Sequence, residues 1–399
     1  MRTIVLNLVV TLLALLLLAL GLEAGLRVFA PQIPIMPDGI YAGHPQLRYL
    51  PNPGAVGRYR TTEFDHQITI NAHGFRGQAR PLSKPAGVFR VLCLGDSFTL
   101  GAEAPLEQTY PAVLEELLNR RAEGDSMVFE VVNAGVGGYG TYQELIFIHL
   151  VGLAVQPDLV VVQFFSNDVR DNISFEKFLI DSGQDSLIAA FGMGTTRFEK
   201  MTMPGPGQDI PLHRLAMPGL PVGMPPALLA EGKAFLSAHS HVYHLLRARI
   251  AILKSVLGLT PITAFDDLAV MSDPPSSEVE AGWALTERLY LRMRDLLAER
   301  GIRMVIVVVP NKAQVGEDGR YDAWIKQHRL DLTKPRRRLL AFGEMAGIPV
   351  LDLQPPFEAT GRGQDLYYRW DGHWNAEGAH AAAAAIAEFL TARSLAPGG

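Results

Sequence analysis

The sequence predicts an α/β fold, a flavodoxin-like doubly wound parallel sheet of five strands. Three observations predict it. Five short apolar, β-rich runs recur along the chain, at 88–94, 128–132, 159–165, 303–309 and 348–353. Helical patterns lie between them, as at 106–121 and 281–300. Each run is apolar but for one residue (Arg90, Glu130, Gln163, Arg303 or Asp352) instead of alternating, the mark of strands covered on both faces, and strands alternating with helices build parallel sheets.

The elements divide the chain into an N-terminal anchor over 1–30, an extension over 31–85 and the α/β domain over 86–399. No charge interrupts Ile4 to Leu22. Nineteen helical residues span ~28 Å, close to the hydrocarbon thickness of a bilayer. A cleaved leader would show a shorter apolar region and a small-x-small cleavage site, so the segment reads as an uncleaved single-pass anchor in the inner membrane. Arg2 and the amino terminus oppose Arg27 across the span, and the short positive leader favours export of the body to the periplasm or cell surface. Prolines at 31, 34, 37, 45, 51 and 53 suggest an extended stalk, followed by a short strand pair closing at Gly74. The βα rhythm breaks over about 171–280, where 201–226 is rich in Pro, Gly and Met; this reads as a long irregular insertion ending in a helix near Ser240.

Composition narrows the function. A net charge of −5 offers no basic footprint for nucleic acid. The one cysteine, Cys93, sits inside an apolar run and reads as a buried thiol, so neither an intrachain disulfide nor a cysteine metal site is expected. His239, His241 and His244 cluster without a carboxylate at ligand spacing, and no metal or cofactor is expected. The basic run at 334–338, KPRRR, fits a helix start with Pro335 in its first turn and a solvated face.

In open parallel sheets, ligands bind beyond the carboxyl ends of the strands. There the sequence reads Gly95-Asp96-Ser97, then NAGVGGYG (133–140), SNDVRDN (166–172), Pro310-Asn311-Lys312 and WDGHWNAEGAH (370–380). A serine, a glycine turn, an asparagine and an Asp-His pair thus converge on one edge. These groups suit acyl transfer. A serine hydroxyl needs a base to take its proton, and a carboxylate fixes that base's tautomer. Ser97, His373 and Asp371 can fill these roles, while backbone N–H groups at Gly138 and Ser97 and the Asn167 amide can receive an oxyanion. Duller explanations exist for each. Ser97 can cap a helix, Asp96 can bind loop N–H groups, Asp371 and His373 can be a surface pair, and Asn375 with Glu377 can start a helix. His380 reads as a packing histidine. Tyr367, Tyr368, Trp370 and Trp374 can stack on sugars or fill core. GVGGYG also fits a dinucleotide fingerprint, with Asp168 as the only ribose acid, but that reading leaves Ser97 and Asp371-Gly372-His373 without roles. The α/β-hydrolase elbow fails because Thr99 stands at its second glycine.

Taken together, GDSFTLG, NAGVGGYG, FSND and DGHW resemble the four blocks of the SGNH/GDSL hydrolase superfamily over about 86–395. The resemblance implies the SGNH hydrolase fold. It also implies Ser97 as nucleophile, Gly138 and Asn167 in the oxyanion hole, and Asp371 and His373 completing a triad. Two departures stand out: Phe165 occupies the third block's usual glycine, and Asp371 and His373 are two apart instead of three. A similar Asp-x-His-Trp spacing occurs in enzymes that O-acetylate alginate, which turns the expectation towards acetyl transfer or removal on acylated envelope glycans. The competing expectation is a glycan-binding protein of the same fold with a misaligned, inactive triad.

Overall fold

The computed structural model describes residues 2–29, 39–61, 63–124, 126–181, 236, 240–243, 245–246, 249–250, 270–316, 325, 329–369 and 371–397. Two compact units form: Met1–Met36 with Ala216–Ala264, and Pro37–Leu215 with Phe265–Gly399. Most of the predicted insertion, with His239, His244 and Trp370, lies outside the described residues.

In the first unit, α1 (Arg2–Phe29) is the expected apolar helix. Its stretch Val9–Phe29 has a mean hydropathy of 2.4 and is long and apolar enough to cross a membrane. Near its end, the Glu23 carboxylate accepts hydrogen bonds from the Ser240 hydroxyl and the His241 and Val242 N–H groups, capping the helical residues that follow.

The second unit holds a five-stranded parallel sheet of β5 (Val88–Gly95), β6 (Val128–Gly135), β7 (Leu159–Phe164), β8 (Arg303–Val308) and β9 (Val350–Asp352), ordered β6-β5-β7-β8-β9. All five predicted apolar runs enter it. Successive side chains point to opposite faces, so a continuous apolar strand feeds two cores. Leu92, Leu94, Val160, Val162 and Ile306 join one core, with α4 (Thr141–Leu150), α5 (Asp168–Asp181) and α6 (Ser277–Ala298). Val91, Cys93, Val161 and Val305 join the other, with α3 (Tyr110–Arg121) and α9 (Ala376–Ala392). Cys93 is fully buried there as a free thiol. The chain leaves β5 first towards β6 on one side and later fills β7 on the other. This makes the carboxyl end of β5 the switch point where such sheets open a crevice.

Several elements differ from expectation. Residues 39–57 are not an extended stalk: β1 (Tyr41–His44) and β2 (Arg48–Pro51) form a hairpin, with Leu47 and Leu50 buried. The prolines fall at the turn and at the ends of these strands, where a missing N–H is tolerated. The next hairpin, β3 (Val56–Arg60) with β4 (Asp65–Thr69), closes at 61–64, and the pairing expected at Gly74 is a single antiparallel bridge between Ile70 and Arg76. There the Thr61 hydroxyl accepts the N–H groups of Glu63 and Phe64. Instead of irregular chain from residue 171, α5 continues to Asp181, because Phe175, Phe178 and Leu179 keep an apolar stripe against the core. The pattern at 106–121 splits into a short 3-10 turn, Leu106–Gln108, and α3, since Pro111 is best tolerated in a first turn. The basic run starts α7 (Lys334–Ala346), which β9 and the short α8 (Gln354–Ala359) follow, and its arginines are paired: Arg336 with Asp352, Arg337 with Asp331, and Arg338 with Glu280 and Glu287.

Candidate active site

Gly95 ends β5, and the four residues Ser97–Leu100 form α2. A side chain at Gly95 has no room: its Cβ would lie 2.2 Å from Thr99 Oγ1 and 2.3 Å from Gln163 Oε1. Asp96, not Ser97, caps α2, accepting the Phe98 N–H at 2.9 Å and the Asn167 amide at 3.2 Å. The serine hydroxyl is thus released from capping. It lies 2.6 Å from Nε2 of His373.

His373 and Asp371 sit in the loop before α9, with Asn375 capping that helix through the N–H groups of Glu377 and Gly378. Asp371 Oδ1 lies 2.5 Å from His373 Nδ1 and also accepts the His373 backbone N–H at 2.9 Å. One carboxylate oxygen therefore closes a two-residue Asx turn and holds the ring within the same fold of chain. The short Asp-x-His spacing brings the pair together through this turn. The network assigns the proton of the neutral ring to Nδ1, leaving Nε2 to accept from Ser97.

Electrostatics favour a charged ring. Burial opposes the imidazolium, but Glu103, Asp371 and Asp96 together outweigh it and push His373 up to about 10. Burial also opposes ionisation of Asp371, yet the His373 ring and N–H keep its carboxyl below the usual range. Asp96 is pushed up, chiefly by burial.

The glycine loop after β6 carries Gly138 in the left-handed region at φ 75°, where a Cβ would meet the Tyr49 hydroxyl at 2.9 Å. Tyr41 and Tyr49 grip the neighbouring peptide: the Gly137 N–H donates to the Tyr41 hydroxyl at 3.1 Å, and the Tyr49 hydroxyl donates to the Gly137 carbonyl at 2.7 Å. Phe165 is buried and packs on Phe98, whose ring also faces His373 at 4.8 Å. Trp374 and Tyr367 fill core, and Tyr368 is half-buried, its hydroxyl donating to the Glu103 carbonyl at 2.7 Å. His380 is exposed on α9, contrary to the packing role expected of it, because it lies to one side of the buried stripe of Ala379, Ala383 and Ile386.

Sequence reasoning missed three polar residues here. Glu63 accepts the N–H groups of Arg369 at 2.7 Å and Asp371 at 2.8 Å, holding the loop that carries Asp371. Arg76 is buried and donates to the carbonyls of Leu100, Gly101 and Ala104 at the end of α2. Glu103, with a side chain only 5% exposed, brings Oε1 to 3.5 Å from His373 Nδ1. Single polar residues in loops carry no periodic signal; their partners exist only once the sheet has formed.

A family model described as an SGNH hydrolase-like domain, acetyltransferase AlgX, matches residues 272–398, which include Asp371 and His373. The doubly wound five-stranded parallel sheet is the fold class expected from the sequence, and over residues 272–398 the chain is similar to an SGNH hydrolase-like domain. No curated protein matches the chain by sequence. Among solved structures it is similar to an acetylxylan esterase from Geobacillus stearothermophilus, at 11% identity over 76% of this chain and 94% of that one, with a TM-score of 0.38. It is also similar to a GDSL-like lipase from Bacteroides thetaiotaomicron, at 14% identity over 76% and 88% of the two chains, with a TM-score of 0.32. A two-domain esterase active on acetylated mannans is 13% identical over 78% of this chain and 51% of that one, with a TM-score of 0.37.

Proposed function

We propose that this SGNH-fold chain is a serine esterase or O-acyltransferase that moves acetyl groups on cell-envelope glycans. The observation that carries the reading is the continuous line from Asp371 Oδ1 through His373 to Ser97 Oγ, with links of 2.5 and 2.6 Å. His373 takes the Ser97 proton as Oγ attacks the ester carbonyl, and Asp371 stabilises the imidazolium that forms. The N–H groups of Gly138 and Ser97 and the Asn167 amide receive the oxyanion. His373 then returns its proton to the leaving alcohol, and the acyl-serine passes its acyl group to water or to a sugar hydroxyl. The family model's description as an acetyltransferase domain supports acetyl as the group moved. The two-residue Asp-His spacing, the best argument for an inactive glycan-binding protein, loses force because one Asx turn accommodates it. We further propose that α1 anchors the chain in the inner membrane with the SGNH domain outside the cytoplasm.

The test uses the full chain in detergent with Ser97→Ala beside it, an aryl acetate as substrate and a serine-directed phosphonate as label. Turnover and a phosphonyl adduct on Ser97 in the parent, with neither in the variant, support the reading. Two folded, unreactive proteins that still bind acetylated glycan would refute it in favour of binding alone. Adding a glycan acceptor to the active parent separates transfer from hydrolysis by the product formed.

A further inference from the structure

We propose that Glu103 is a positioning residue for His373, a second carboxylate sharing the Nδ1 side of the ring with Asp371. The inference rests on the serine-enzyme reading above and adds a fourth side chain to it.

Glu103 stands in the turn leaving α2, so the same short segment that presents Ser97 delivers this acid to the base. Its backbone is clamped, because its carbonyl accepts from the Tyr368 hydroxyl at 2.7 Å and from the His66 ring. The carboxylate thus has little freedom to turn away. A buried acid ordinarily has a cationic partner. Arg76 is near enough to be felt, but its guanidinium is engaged by the carbonyls of Leu100, Gly101 and Ala104. Among the described residues, the one ion pair within 4 Å that Glu103 makes is with His373.

The other titratable groups facing Glu103 are Asp371, Tyr41, Tyr59 and Tyr368, all of which resist ionisation beside it or repel its charge. Those facing the His373 ring are Glu103, Asp371 and Asp96. The imidazole is therefore ringed by three carboxylates, two flanking α2 and one in the loop before α9, and burial pushes Glu103 up towards holding a proton of its own. Glu103 and His373 compete for one proton. With that proton on His373, the pair is ionic and the imidazolium formed during attack is stabilised. The same attraction delays release of the free base, so Ser97 gains reactivity only as pH rises into the alkaline range.

The experiment compares the full-length parent with Glu103→Gln, a near-isosteric loss of charge. Both kcat/KM for the aryl acetate and the rate of Ser97 phosphonylation are followed against pH. The acid limb of both profiles should move to lower pH by about one unit or more, with a lower alkaline plateau. A lower plateau with an unmoved limb, or a limb displaced upward, overturns the proposal and leaves Glu103 only a structural acid. Should the Gln variant fail to fold, Glu103→Asp decides: its shorter side chain withdraws the charge from Nδ1, so the limb should move down part of the way, and an unmoved limb again overturns it. A parent that never labels at Ser97 refutes the serine reading and this inference together. A labelling parent with coincident profiles refutes the role of Glu103 alone.

Discussion

Replacing Arg76 with Met should destabilise the α/β domain and slacken α2, the helix begun by Ser97, in the same step. Burial lowers the Arg76 pKa to about 10, so the guanidinium is still charged near neutrality and makes charge-assisted bonds to three buried carbonyls. Met fills a similar volume but donates nothing, so all three carbonyls lose their charged donor, although Leu100 keeps the Asn133 amide at 3.4 Å and Gly101 keeps the Ala104 N–H at 3.1 Å. A hydrogen bond to a charged group contributes about 1.5–3 kcal/mol. The three bonds share one side chain and are not additive, so the low end of their sum applies, about 4.5 kcal/mol. For a domain of this size each kcal/mol lowers Tm by about 2–4 °C, giving a fall of about 10 °C. Thermal unfolding of the full chain by near-ultraviolet circular dichroism measures it, with Arg76→Lys as comparison. Lys keeps the charge but reaches fewer carbonyls at once, so it should fall between parent and Met. A Met variant within about 2 °C of the parent would refute the assignment of Arg76 as the anchor of α2.

Gly135→Ala should abolish labelling of Ser97 by the phosphonate, by about 100-fold or more, since displacing a catalytic group by ~1 Å is enough for that loss. The new Cβ would lie 2.1 Å from the Leu100 nitrogen and 2.6 Å from the Thr99 carbonyl carbon, both backbone atoms that cannot rotate away. His44 governs acid stability: its buried Nδ1 accepts the N–H groups of Gln46 at 3.3 Å and Leu47 at 3.1 Å, and burial lowers its pKa from 6.5 to about 4. The unfolded chain therefore binds this proton more readily. The contribution of His44 is complete above pH 6.5 and is lost as pH falls towards 4, which urea titrations across that range, with His44→Asn lacking the slope, would measure.

The sheet and the residues at its carboxyl edge were legible because their physics is local. A strand buried on both faces must be apolar throughout, and β5, β7 and β8 are nearly so. A hydroxyl and a glycine ending such a run must then lie at the edge. The boundaries of α5 were less legible, since Asp168, Asp171 and Asn172 hide an apolar stripe that begins only at Phe175. The hairpin of residues 41–51 was read as stalk because its prolines dominate composition, whereas Tyr41, Leu47 and Tyr49 carry the packing. Glu103 could not be read at all. An acid in a turn is ordinarily solvated, and nothing local says that the loop before α9 will close over it.

The misread segment explains how the edge keeps its geometry. Four loops meet at the carboxyl end of β5, and loops hold catalytic groups less tightly than helices or strands do. Here the N-terminal hairpins and the chain just after them bind three of those loops separately. Tyr41 and Tyr49 hold the peptide beside Gly138, Glu63 holds the N–H of Asp371, and Arg76 holds the end of the helix begun by Ser97. A serine site depends on donors and base being fixed before substrate arrives, because reorganisation during reaction forfeits the electrostatic gain. Residues 41–76 therefore brace the loops that carry the proposed triad, and replacing Glu63 with Ala should slow Ser97 labelling at temperatures where circular dichroism shows the variant still folded. The carboxylate accepts the N–H groups of Arg369 and Asp371 and belongs to neither apolar core, so its loss frees Asp371 without opening either core.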